Sequence, residues 1–234
     1  MKNRKKVIII ELSIVFLVLI FPSYLSQDLE VDPALFSSIR FNITYIATSL
    51  PHIGLLFLIL YLGAGRETRL QELSEDYGFI DFDLSLVWKT GFAFAGILAV
   101  VFLASLLSLL PLLQESEYFQ TVQWQMTDTG LLPLVFITCL VTGYREEMLF
   151  RSYLLTRLDH AGLPKYPSIL LTSLLFAGGH IYQGIPAFAA TFFIGLFLGF
   201  VYLRFRNIHM IAIGHGLYNF FSLILYPFIV TFSI

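Results

Sequence analysis

The sequence predicts an all-α fold, a polytopic helical membrane bundle of about seven transmembrane helices with a cytoplasmic N-terminus. Three observations predict it. The chain is 57% hydrophobic and only 13% charged, against roughly 45–50% and about 25% in soluble domains. Its mean hydropathy is +0.80. Its apolar residues gather in runs near the 20 or so that a helix needs to cross a bilayer, separated by short polar connections.

The runs are taken in order. Met1–Lys6 is basic and precedes the apolar run Val7–Ser26. No small-x-small cleavage site follows, and Glu11 interrupts the run, so we expect a retained first helix rather than a signal peptide. Gln27–Phe36 is an acidic loop. The second span runs from Ile39 to Leu62, interrupted by Pro51-His52, where His52 is expected to satisfy a kinked backbone. Residues 63–89 form a cytoplasmic connection whose first part can lie at the interface as an amphipathic helix. The third span covers Trp88–Leu113, and Gln114–Gly130 is a polar loop.

The fourth run, Leu131–Leu158, is closed by Gly162 and Pro164, both helix stop signals. The fifth is Pro167–Gln183, and a turn at Gly184 leads to the sixth, Pro186–Leu203. There Gly195 and Gly199 stand four apart, a spacing that lets helices approach closely. The Phe residues of this span are expected to face lipid or core. The seventh span follows Asn207. Of the 14 Lys and Arg, Arg145 and Arg151 lie inside span four. With the N-terminus inside, every other one except Arg40 falls on the cytoplasmic side, as positive-inside partitioning requires. We expect a single transmembrane domain over 1–234 with a motif-bearing core at about 131–221.

Composition also limits function. No Lys/Arg stripe accompanies base-stacking aromatics, which speaks against nucleic acid. The single cysteine, Cys139, can form neither an internal disulfide nor a thiolate metal site. The expected partners are membrane lipid and a peptide or lipidated protein.

Span four carries Glu146-Glu147 and then Arg151. A charge near the bilayer centre costs about 2.5–3.5 kcal/mol on insertion scales, so such groups are functional candidates. Glu147 and Arg151 have the i,i+4 order that favours an ion pair. Span five holds Phe176 and His180, and span seven holds His215 and Asn219, each pair four apart. At about 1.5 Å per residue, Glu146 lies roughly 18 Å from the cytoplasmic end of its span, and His180 roughly 20 Å. His215 and Asn219 lie roughly 12 and 18 Å from theirs. Three helices can therefore aim Glu146, His180, His215 and Asn219 at one cavity.

The chemistry these groups offer is water activation. An apolar cavity pushes a carboxyl group towards the range useful to a general base. A histidine beside it can share the water or pass its proton on. A second histidine with an Asn amide supplies oxyanion donors. Arg151 can separate the two carboxylates into different roles by pairing with Glu147. Metal binding is the other use of the same groups: Glu146, His180 and His215 make a plausible zinc set, although the helical HExxH arrangement is absent. Tyr144 and Arg145 flank the motif without an assigned role. His160 and His209 are expected in a loop and at a helix start, both in solvent, and Gly178-Gly179 is expected to allow close helix approach beside His180.

At these residues the chain resembles the CPBP family (CAAX proteases and bacteriocin-processing enzymes, also called ABI) of intramembrane proteases. Its pattern EExxxR, FxxxH and HxxxN stands here as Glu146-Glu147-x-x-x-Arg151, Phe176-x-x-x-His180 and His215-x-x-x-Asn219. The resemblance covers about Leu131–Phe221 and none of the N-terminal third. It implies a helical fold with a cavity open to the cytoplasm and an endopeptidase in which Glu146 and His180 activate water. It also implies that His215 and Asn219 form the oxyanion hole. It favours a metal-independent mechanism over the metalloprotease label first given to the family, with zinc kept as the alternative. Prenylated tails, pheromones and bacteriocin precursors are all compatible substrates. An ion- or proton-coupled transporter and an inactive immunity or scaffold protein are the rival readings. The short loops suggest a prokaryotic plasma membrane.

Overall fold

The computed structural model describes residues 2–25, 32–64, 70–80, 82–107 and 124–232, and among these the secondary structure is entirely helical. The elements are α1 (Lys2–Val15), running through a π-helical turn at Phe16–Ile20 into α2 (Phe21–Leu25), then α3 (Ile39–Ala64), α4 (Leu70–Asp76) and α5 (Ser85–Leu107). After them come α6 (Leu132–Glu147), a π-helical segment at Met148–Leu155, α7 (Thr156–Ala161), α8 (Lys165–Gly178), α9 (Ile185–Phe205) and α10 (Ile208–Phe232).

Among the described residues, three helical stretches are long and apolar enough to cross a membrane: Ile39–Tyr61, Ser85–Leu106 and Ile185–Phe205. The expectation of seven spans goes beyond that. The stretch from Leu132 to Ala161 is long enough, but Arg145, Glu146, Glu147 and Arg151 charge its middle. The fifth expected span is shorter than its apolar run suggests, because α8 stops at Gly178 rather than near Gln183. Pro51 does not interrupt α3, and His52 is exposed. The expected interfacial helix is α4, seven residues long, while residues 65–69 lie outside the described ones. The same holds for 26–31 of the acidic loop and 108–123 of the third span and polar loop. Asp83 caps α5: its carboxylate accepts from the Ser85 hydroxyl at 2.5 Å and the Leu86 amide at 3.1 Å. The Ser85 bond is the first cause holding that carboxyl below its ordinary range.

The chain divides into two compact units. One gathers residues 1–29, 99–121 and 149–206. In it α8 and α9 pack closely where the sequence expects close approach. A Cβ on Gly195 would lie 2.9 Å from the Ser173 Cβ, and one on Gly199 would lie 3.0 Å from Ile169. Phe193 and Phe200 point out of the fold from the opposite side of α9, as a lipid-facing stripe would. α1 packs against α7. Glu11, which the sequence shows only as a charge in an apolar run, accepts from Tyr153 Oη at 2.7 Å and from Arg157 Nε at 2.8 Å, and also pairs with Arg157 Nη2. Arg157 is therefore a buried partner of Glu11. Lys5 reaches Gly162, so α1 and α7 run antiparallel. Gly162 ends α7 at φ 88°, the left-handed residue that a glycine stop requires.

The other unit gathers residues 30–98, 122–148 and 207–234. Its core lies between α6 and α10: Val135, Cys139 and Leu223 are buried together, with Phe36, Trp124 and Phe220 against them. Residues 124–127 are held to the start of α3 by Gln125 N–H donating to Pro33 O and Thr127 N–H donating to Ser37 Oγ.

Candidate active site

Each unit carries part of the motif set. Glu146, Glu147, His215 and Asn219 lie in the second unit, and Arg151, Phe176 and His180 in the first.

In the second unit the geometry starts from glycine. α6 and α10 are antiparallel, with the Phe136 and Phe220 rings 5.2 Å apart at one level. A Cβ on Gly143 would stand 2.4 Å from the Ala212 carbonyl oxygen and 2.9 Å from the Gly216 nitrogen. A Cβ on Gly216 would stand 2.9 Å from Leu140 Cα. The two backbones touch, which only glycine permits. Helical side chains lean towards their own N-terminus. On antiparallel helices, Glu147 and His215 therefore lean towards each other across the Gly143–Ala212 contact.

They meet there. His215 Nδ1 lies 2.8 Å from Glu147 Oε1. A carboxylate only accepts, so Nδ1 carries the hydrogen. Nε2 of the same ring lies 3.8 Å from Glu146 Oε2. The two carboxylates are not equivalent: Glu147 is 0% exposed, whereas the Glu146 side chain is 13% exposed. Asn219 follows His215 by one turn of α10 and is half-buried. Arg145 lies over the Tyr45 ring at 4.7 Å and reaches to 4.0 Å from Glu146. Tyr144 Oη is 2.9 Å from His209 Nδ1, and the Phe82 ring lies 4.4 Å from the His209 ring. His209 is thus held among aromatic side chains and not in solvent, as the sequence suggested. His160 also departs from expectation: it lies in α7 and not in a loop.

In the first unit the chain leaves α-helical geometry directly after Glu147. Met148–Leu155 is π-helical, with Arg151 inside it. Such wide turns recur at functional sites, and here it changes the register on which i,i+4 reasoning depends. Arg151 is 1% exposed. Its guanidinium lies over the Phe176 ring at 4.5 Å and donates to Gly195 O at 3.4 Å. Phe176 in turn packs edge-on against His180, with ring centroids 5.0 Å apart. His180 is not on the helix: α8 ends at Gly178, and His180 follows in the turn. Its Nδ1 lies 3.0 Å from Phe176 O. A carbonyl only accepts, so Nδ1 is the donor and Nε2 is free to act as a base in the neutral ring. Gly178-Gly179 ends the helix and also admits a neighbour: the Tyr24 ring of α2 lies 3.4 Å from a Cβ placed on Gly178. Among the described residues, no three His, Cys, Asp or Glu side chains stand together as a metal-binding set.

The second unit thus holds two carboxylates of unlike burial with a histidine between them, and the first unit holds a histidine of fixed tautomer. Residues 128–221 match the family model described as type II CAAX prenyl endopeptidase Rce1-like. This segment is Rce1-like. It spans all three motifs, and it bears out the resemblance read from them. The Rce1-like segment supports a CAAX-type intramembrane endopeptidase in general, and with the apolar helices it points to an integral membrane protein. No curated protein and no solved structure matches the chain.

Proposed function

We propose that this protein is an intramembrane endopeptidase that hydrolyses a peptide bond of a membrane-associated or lipidated protein or peptide near the cytoplasmic face of the membrane. The observation that carries this reading is the Glu146–His215–Glu147 arrangement, with one carboxylate accessible and one fully buried. Glu146, the accessible one, takes a proton from water, and the hydroxide attacks the scissile carbonyl. The family resemblance assigns His180 to the same water: its bare Nε2 accepts the proton from Glu146 and passes it to the leaving amine as the C–N bond breaks. Glu147 holds His215 by Nδ1–H, and His215 Nε2–H with the Asn219 amide supplies the donors for the oxyanion. The ring presents both N–H groups in its doubly protonated form, which the Glu147 carboxylate accompanies. Within the first unit, Arg151 holds Phe176, on which His180 rests.

The mechanism is proposed as metal-independent. A zinc-dependent version would draw on Glu146, His180 and His215. Placing the protein in a prokaryotic plasma membrane with seven spans and a cytoplasmic N-terminus completes the proposal. The test is cleavage of prenylated and unlipidated C-terminal peptides by purified protein in vesicles, with release of a new amine followed by mass spectrometry. We expect cleavage by wild type, unaffected by chelator, and none by Glu146→Ala. A proton flux that depends on Glu146, with no cleavage of any peptide, would contradict the proposal and support a transporter.

A further inference from the structure

The last four carbonyls of any α-helix lack an intrahelical partner. At the C-terminus of α8 three of these acceptors have partners. Phe176 O accepts from the Gly179 amide and from His180 Nδ1, and Ala177 O accepts from the His180 amide. Leu175 O accepts from a residue far away in the chain: Tyr24 Oη donates to it at 2.5 Å. The Tyr24 ring also lies against the glycine pair before His180. A Cβ on Gly178 would be 3.4 Å from it, and one on Gly179 would be 3.9 Å from it. Phe16 backs the Tyr24 ring edge-on at 6.4 Å. Tyr24 stands at the end of α2, outside the Rce1-like segment.

Gly178 and Gly179 bring no side chains that could hold this turn in place. A glycine turn left to itself samples many conformations, and a catalytic base must be held to within about 0.5 Å to be effective. We propose that Tyr24 is a positioning residue for His180: its hydroxyl fixes the end of α8 and its ring fixes the glycine turn that presents the imidazole. The N-terminal helix is then part of the catalytic apparatus. This inference rests on the proposed hydrolytic role of His180.

Tyr24→Phe keeps the ring and removes the hydroxyl. In the cleavage assay we expect kcat to fall about tenfold with KM within twofold of wild type, and the pH–rate limb belonging to His180 to move. The thermal midpoint in detergent should stay within about two degrees. A lowered kcat with an unmoved pH profile and a lowered midpoint would reduce Tyr24 to a structural residue and overturn the proposal. A second arm needs no turnover: carbethoxylation of His180 by diethylpyrocarbonate, read by mass spectrometry. We expect at least a threefold change in rate in Tyr24→Phe, and an unchanged rate would overturn the positioning role. Failure of wild type to cleave any peptide would instead count against the hydrolytic reading, and the modification rates would still decide whether Tyr24 holds His180.

Discussion

Glu147 Oε1 lies 2.8 Å from His215 Nδ1, between two helices whose backbones touch at Gly143. The pair explains why two adjacent glutamates can stand in an apolar run without doing the same work. Glu147 is fully enclosed and bonded to His215, while the Glu146 side chain stays 13% exposed.

Glu147→Gln tests that bond. Gln keeps the shape and can still accept from Nδ1–H, but it removes the negative charge that accompanies a doubly protonated ring. Loss of one oxyanion donor costs about 10²–10³ in kcat in well-studied hydrolases. We expect a fall of that order with KM little changed, measured in the peptide-cleavage assay.

Gly143→Ala tests the helix contact itself. The new methyl group would meet the Ala212 carbonyl oxygen at 2.4 Å, which is backbone and cannot swing aside. Overpacking of this kind costs about 1–3 kcal/mol, and the helices must part to relieve it. Parting them stretches the Glu147–His215 bond, so activity should fall along with stability. Gly54→Ala is the control: nothing lies within 4 Å of its Cβ position on α3. Replacing that mid-helix glycine should be neutral or stabilise by about 0.5–1 kcal/mol.

Glu11 and Arg157 tie α1 to α7 through a largely enclosed ion pair, with side chains 17% and 9% exposed. Removing one partner of a buried pair costs about 3–5 kcal/mol, whereas replacing both with apolar residues is often close to neutral. Arg157→Ala should therefore lower the detergent unfolding midpoint strongly, and Glu11→Leu with Arg157→Leu should recover much of the loss. This pattern also separates an integral first helix from a dispensable leader.

Much of the site was legible in the sequence because charge inside an apolar run has few uses. Glu146, Glu147, His180, His215 and Asn219 stand out by that reasoning alone, and their spacing carries the family resemblance. The helix stop at Gly162 and the close approach at Gly195 and Gly199 were also readable, since each depends on local backbone chemistry. Other features follow from contacts that local patterns do not encode. The partner of Glu11 lies 146 residues away. The π-helical segment after Glu147 breaks the 3.6-residue period on which spacing arguments rest. Gly178-Gly179 carried a signal for close approach, met by Tyr24 of α2, but that it would also end the helix was not read. His180 therefore meets Phe176 through a turn instead of along a helical face. Ala212 and Gly216 do form a small-xxx-small pair on α10, but Gly143 has Cys139 and Glu147 four residues away on its own helix, so the facing of Gly143 and Gly216 emerges only in three dimensions.

The central claim is that Glu146, not its buried neighbour, activates water. Its most direct test is kcat of Glu146→Gln against wild type on one peptide, with the thermal midpoint measured in parallel. A general base contributes about 10²–10⁴ to rate. We predict a loss in that range with an unchanged midpoint, since Glu146 is partly exposed and Gln keeps its size and shape. Cleavage by Glu146→Gln within tenfold of wild type would contradict the account.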